Sequence, residues 1–307
     1  MRLFILLFPL LLFAQIDINT SKNIDQPTIL AIFPEPASPE VDANVSIKLC
    51  FSEPLMPVRM PRAITLKQLE ERKPWFFAKH LFNKKSKIVK HTVLGSIEQK
   101  ENCLLFKPDS NLSVGFYEVH TKPIFLRTFG GKIVVKPITY RFYVPEVING
   151  FKLPPEPDEE KNNATLLGID FNGNGIRDDV ERWIIKHYAK DPKYPKTKTA
   201  IALQYAWAAQ KILENPTMES SKYEDNALAC QYYWFNKKTE GLSGFEFGKF
   251  TEKHKVFGTP ALKDKIFNTK ERILRKFKYN AALSGHILTL RESKLSACKI
   301  NIDTLEE

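Results

Sequence analysis

The sequence predicts a multidomain protein, an all-β sandwich followed by a mostly α-helical C-terminal domain. Between residues 27 and 145, short β-rich runs alternate with turn residues, the pattern of a sandwich. Residues 146–165 are rich in proline and acid. Beyond 166, apolar residues recur at helical spacing. The 307 residues suit two domains. A content of 43% hydrophobic and 26% charged residues excludes a disordered tail, a collagen-like fibre and a disulfide-only miniprotein. The formal charge of +11 implies anionic surroundings without identifying them.

The chain opens with Arg2 and the apolar stretch Leu3–Phe13. That stretch is too short to cross a bilayer as a helix, which needs about 20 residues. Residues 1–14 therefore read as a signal peptide, cleaved after Ala14. Leu12 fits the cleavage site imperfectly, so an uncleaved anchor is the alternative. The expected location is periplasmic, cell-surface or secreted. Cys50, Cys103, Cys230 and Cys298 suit an oxidising compartment, and none forms a CxxC pair. Of the three possible connectivities, Cys50–Cys103 with Cys230–Cys298 keeps each bridge within one domain. Each bridge would contribute about 4 kcal/mol in the chain-entropy model; four free thiols are the alternative.

The sandwich strands are expected at Thr28–Phe33, Ser46–Phe51, Ala63–Leu69, Cys103–Phe106, Phe116–His120 and Ile138–Val144. Period two puts Ile47, Leu49 and Phe51 on one face, with Lys48 and Cys50 on the other. Leu104 and Phe106 likewise point inward, leaving Cys103 outward. If the two strands are neighbours, a non-hydrogen-bonded pair sets the cysteine Cα atoms near ~4.5 Å, within disulfide reach.

The segments Ser46-Ile-Lys-Leu-Cys-Phe-Ser-Glu-Pro-Leu55, Leu104-Leu-Phe-Lys-Pro-Asp109 and Gly115-Phe-Tyr-Glu-Val119 resemble bacterial Ig-like modules of surface-layer and adhesion proteins. The resemblance implies an Ig-like sandwich over residues 27–145, serving as a spacer or binding module, and implies no chemistry. Arg72–Lys90 departs from it, with seven Lys/Arg, no acid and an aromatic cluster. Trp75, Phe76, Phe77, Lys84 and Lys85 suit peripheral contact with a membrane or an anionic envelope polymer. The plainer reading is a long inter-strand loop whose aromatics cap the sandwich. Nucleic acid is not expected as a partner.

Residues 146–165 read as an extended, semi-rigid linker. The sharpest motif follows in Asp170-Phe-Asn-Gly-Asn-Gly-Ile-Arg-Asp-Asp-Val-Glu181. Oxygen side chains stand at positions 1, 3, 5, 9 and 12, with glycine at 6, a spacing that wraps oxygens around one calcium ion. The pattern resembles the EF-hand loop and, more closely, the calcium loops of thrombospondin type-3 repeats. By that resemblance the ligands are Asp170, Asn172, Asn174, Ile176 through its carbonyl, Asp178 and Glu181, while Asp179 is outside the ligand set or solvent-facing. A single copy, three acidic ligands and the adjacent Arg177 and Arg182 imply weak, structural binding. The alternative is a polar turn whose Asp and Asn side chains cap the next helix.

The 166–307 domain is expected to hold four to six helices. They include Asp178–Lys190, a central Thr199–Glu214, Tyr223–Asn236 and Phe267–Leu288 with Ile273, Leu274, Phe277, Ala281 and Ala282. The seven Lys/Arg of Leu262–Lys278 read as a solvated helix face, and His187 as a core residue. No P-loop, GxSxG, HExxH or GxGxxG is present, and Ser284-Gly285-His286 does not set its side chains face to face on a helix. The resulting expectation is an exported, non-catalytic protein whose Ig-like module presents a calcium-stiffened helical binding domain. Its rivals are an exported hydrolase with its site in the helical domain and a peripheral envelope binder acting through Arg72–Lys90.

Overall fold

A computed structural model describes residues 29–56, 63–72, 87–128, 131–287 and 291–305. Ala14, Trp75, Phe76, Phe77, Lys84 and Lys85 lie outside the described residues. The chain divides into two compact units, Met1–Pro145 and Glu146–Glu307.

The first unit packs two four-stranded antiparallel sheets. One has the order β1 (Ile29–Phe33), β2 (Ile47–Phe51), β6 (Cys103–Pro108), β5 (Gly95–Lys100). The other runs β10 (Thr139–Val144), β7 (Gly115–Thr121), β3 (Ile64–Arg72), β4 (Lys87–Val93), and β8 (Ile124–Thr128) pairs with β9 (Gly131–Val135) as a separate ribbon. Alternation decides which side chains enter the core. Ile47, Leu49, Phe51, Leu104 and Phe106 of the first sheet meet Leu66, Tyr117, Val119, Tyr140 and Phe142 of the second. Each fully buried aliphatic or aromatic side chain stabilises by about 1.5–3 kcal/mol relative to exposure.

Cys50 lies directly opposite Cys103 in the β2–β6 register. The Phe51 amide donates to the Asn102 carbonyl at 3.0 Å, which makes the cysteines a non-hydrogen-bonded pair. Their Cα atoms are 4.1 Å apart and the disulfide is formed. The expectation of one loop from Arg72 to Lys90 needs correction, because Arg72 and Lys87–Lys90 pair as strand residues. Lys90 and Arg141 both bind Glu118, whose carboxylate they hold below its ordinary range although burial alone would raise it.

In the second unit, the stretch read as an extended linker folds. β11 (Glu146–Ile148) and β12 (Phe151–Leu153) form a hairpin through Asn149-Gly150, both at positive φ, the residues a two-residue turn prefers. α1 (Glu159–Asn163) follows, capped by Asp158. Then come α2 (Asp178–Tyr188), α3 (Pro195–Glu214), α4 (Ser221–Lys238), α5 (Gly244–His254), α6 (Pro260–Ile266) and α7 (Lys270–Leu283). Among the described residues, six of these helices, α2–α7, lie within 166–307, in keeping with the four to six expected there. Alanine-rich α3 is the buried centre, with Ala202, Ala206, Ala208 and Ala209 letting its neighbours approach closely. The expected helix Phe267–Leu288 begins only at Lys270, where the Thr269 hydroxyl caps α7, and stops before Gly285 at φ +83°. His187 is exposed and stacks on Trp183 at 4.4 Å, so it is not a core residue. Cys230 of α4 is bonded to Cys298, tying the C-terminal segment to the helical core.

Candidate metal centre

The loop is entered through a tight bend. Asn162 of α1 is buried and its Oδ1 accepts from the Ile169 amide at 2.9 Å. Gly168 sits at φ +73°, and a Cβ there would lie 2.2 Å from Cδ of Arg177. Gln210 of α3 donates to the Leu167 carbonyl at 2.8 Å, fixing the bend to the central helix.

Within the loop, side-chain oxygens fold the backbone around themselves. Asp170 accepts from the amides of Asn174 (3.1 Å) and Gly175 (2.8 Å) through its two oxygens. Asn172 Oδ1 accepts from the Asn174 amide at 3.3 Å, and Asn174 Oδ1 from the Ile176 amide at 2.8 Å. These are local Asx turns. Gly173 and Gly175 take φ of +68° and +82°, and a Cβ on Gly175 would press on the Trp207 ring at 3.0 Å. Glu181, one turn into α2 and 5% exposed, receives the carboxamide nitrogens of Asn172 (3.3 Å) and Asn174 (2.8 Å). Asp170, Asn172, Asn174 and Glu181 are therefore joined in one hydrogen-bonded network.

The two remaining expected ligands, Ile176 and Asp178, are buried. Asp178 begins α2, is 1% exposed, and accepts from the Phe171 amide through both carboxylate oxygens. Burial, with the like charges of Asp170 and Asp179, pushes its pKa up to about 7. The Ile176 side chain joins the helical core. Asp179 faces neither solvent nor the loop centre. It pairs with Arg177 and with Lys265 at 3.0 Å, and these cations hold its pKa down against the opposing effect of burial. Among the described residues, no group of three or more His, Cys, Asp or Glu gathers as a metal-holding cluster. The network consists of two carboxylates and two carboxamides, an all-oxygen donor set once the amides turn their oxygens inward. Such hard neutral and anionic oxygens are what a calcium ion takes.

Two residues that sequence reasoning left out of the site hold the loop in place. Arg177, 1% exposed, turns away from the loop centre and donates to Asp179, to the Ile266 and Lys265 carbonyls (3.1 and 2.9 Å) and to Asn268 Oδ1 (3.1 Å). Arg272 of α7 is fully buried. Its Nε donates to the Leu166 carbonyl (2.9 Å), while the other two nitrogens reach Asn163 Oδ1, Asn268 Oδ1 and the Asn162 and Thr165 carbonyls at 2.6–3.0 Å. All five guanidinium donors are used, and every acceptor is neutral. Burial and the nearby Arg177 lower its pKa to about 10, so it stays charged at neutral pH. Arg182, the other cation beside the motif, is directed to Glu156 and the Pro154 carbonyl. Little local in the sequence marks Arg272 as buried, because all its acceptors but Asn268 lie more than a hundred residues earlier.

Ser284-Gly285-His286 falls at the end of α7, with Ser284 following the helix and both Ser284 and His286 exposed. No helix among the described residues is long and apolar enough to cross a membrane.

No protein-family model matches the chain, and no curated protein matches it. Among solved structures, one match is PcoC, a methionine-rich copper resistance protein from Escherichia coli. It is 18% identical at a TM-score of 0.25, and the match covers 39% of this chain and 98% of that one. Its selenomethionine form matches at 17% identity and the same TM-score, covering 38% of this chain and 98% of that one.

Proposed function

We propose that Asp170–Glu181 holds a structural calcium ion in an exported, non-catalytic envelope protein, whose Ig-like β-sandwich presents a calcium-stiffened helical binding domain. The observation that carries the ion reading is the joining of Asp170, Asn172, Asn174 and Glu181 across the loop. When bound, the ion supplies a central charge that replaces the amide–carboxylate bonds. Asp170 and Glu181 would hold it directly, with Asn172, Asn174 and the Ile176 carbonyl completing the oxygen set. Asp178, occupied by the Phe171 amide, shapes the loop from outside. Arg177 and Arg272 keep the loop and α6–α7 together as one body. The expected affinity is on the order of 10⁻⁴–10⁻³ M, that of extracellular modules.

The test is thermal unfolding in millimolar calcium against chelator. The melting temperature should rise with calcium, and Asp170→Ala should remove the rise. Equal melting in both conditions leaves only a polar turn. The export reading is carried by the Arg2–Phe13 leader pattern and the two disulfides. Periplasmic fractionation of the tagged chain tests it, and retention in the cytoplasm would refute it.

A further inference from the structure

Helix α7 is amphipathic with its polarity reversed. A surface helix ordinarily turns its apolar stripe to the core and its charges to water. Here Arg272 is fully buried and Arg275 donates to the Leu213 and Glu214 carbonyls at the C-terminus of α3 (2.9 and 3.2 Å). Lys276 pairs with Glu224 of α4 at 2.8 Å. The outer face instead carries Ile273, Leu274 and Phe277, which are 42%, 55% and 62% exposed. The sequence expectation of a cationic solvated face holds for Lys270 and Lys278 but not for Arg272, Arg275 and Lys276, which turn inward to carbonyls and a carboxylate.

The exposed face has an ordered composition. Lys270, Leu274 and Lys278 follow one another at intervals of four, forming one row along the helix. Ile273, Phe277 and Ala281 form the row beside it. Lys270 and Lys278 are exposed, and no ion pair among the described residues engages them. Glu271 is the one acid of the helix. Beyond the helix the chain carries Ile287, 95% exposed.

We propose that this face docks on an anionic phospholipid surface, with Ile273, Leu274 and Phe277 entering the acyl boundary and Lys270 and Lys278 meeting the phosphates. An apolar stripe bounded by lysines fits such an interface. A second copy fits poorly, since pairing two such faces in either direction sets lysine against lysine. A protein partner fits poorly as well. A stable complex buries about 800 Å² on each side, whereas this is a convex ridge of three partly exposed side chains, each offering at most ~250 Å². The proposal does not depend on calcium.

The experiment uses the chain from Gln15 onward, which contains every described residue, sedimented with vesicles of phosphatidylglycerol and phosphatidylcholine, or of phosphatidylcholine alone. Binding is expected to the anionic vesicles and to weaken with salt. The pair Leu274→Ser/Phe277→Ser and the pair Lys270→Glu/Lys278→Glu should each reduce it about tenfold or more, with the melting temperature unchanged. Four outcomes would overturn the proposal: no binding by the parent chain; equal binding by both variants; binding lost only on Trp75→Ser/Phe76→Ser/Phe77→Ser, which places the contact on the β3–β4 segment; or a dimer that Leu274→Ser/Phe277→Ser dissolves.

Discussion

Replacing Arg272 with methionine tests the central energetic claim, that a buried cation without a carboxylate partner holds the segment entering the Asp170–Glu181 loop to the C-terminal helices. The substitution keeps an unbranched apolar stem and removes five donors. Five acceptors, the Leu166, Asn162 and Thr165 carbonyls and the Asn163 and Asn268 side chains, then lose a partner, the Asn162 carbonyl in a buried bond and the other four in part-buried ones. A typical intramolecular hydrogen bond contributes about 1 kcal/mol net, which sets a loss near 5 kcal/mol. Removing the guanidinium also relieves the cost of burying its charge beside Arg177, so the expected net destabilisation is about 3–4 kcal/mol. Arg272→Lys should cost about 2 kcal/mol or more, because one ammonium cannot span acceptors arranged around a planar fork. Urea unfolding followed by tryptophan fluorescence is the assay, since Trp183, Trp207 and Trp234 all lie in the helical unit. Lys278→Met on the outer face is the control and should be near neutral. If Arg272→Met unfolds within about 1 kcal/mol of the parent, the guanidinium does not hold the loop and the account of α6–α7 fails.

Two further substitutions follow from the same unit. Gly168→Ala should destabilise it by at least about 2 kcal/mol in urea, because the methyl would overlap Arg177 and Asn162 at a positive φ; an unchanged midpoint would show that the bend can shift at no cost. His254 is buried among Tyr194, Trp234 and Phe250. Burial first, and then the nearby Lys198, depress its pKa below 6.5 against the opposing pull of Asp191, with Lys253 and Lys193 adding to the depression. The unfolded chain therefore binds more protons, and the stability from neutral His254 is present above pH 6.5 and lost as pH falls toward the depressed folded value. His254→Phe should flatten the fall in melting temperature between about pH 7 and pH 5; a parallel fall in the variant would exclude this histidine as its cause.

Legibility from sequence tracks the range over which each feature is decided. Ile47, Leu49 and Phe51 show their inward face through simple alternation, and the direct Cys50–Cys103 pairing follows from the same parity. β4 and β5 are harder to read, because Lys87–Val93 and Gly95–Lys100 are mostly exposed and present no apolar alternation. The β11–β12 hairpin carried its signal in Asn149-Gly150, yet the surrounding prolines and acids masked it. The loop motif is legible because its hydrogen bonds span only two to nine residues. The separate placement of Asp178 is not, because it depends on how α2 is seated against the Phe171 amide.

Helix α7 shows the boundary most sharply. Local spacing by itself determines that Ile273 and Phe277 share a face and that Arg272, Arg275 and Lys276 lie around the other side, because a helix has a fixed period. Which side turns inward is decided only by the assembled protein. The unpaired carbonyls at the end of α3 and in residues 162–166, brought from distant parts of the chain, bind cations more strongly than the core there requires another apolar stripe.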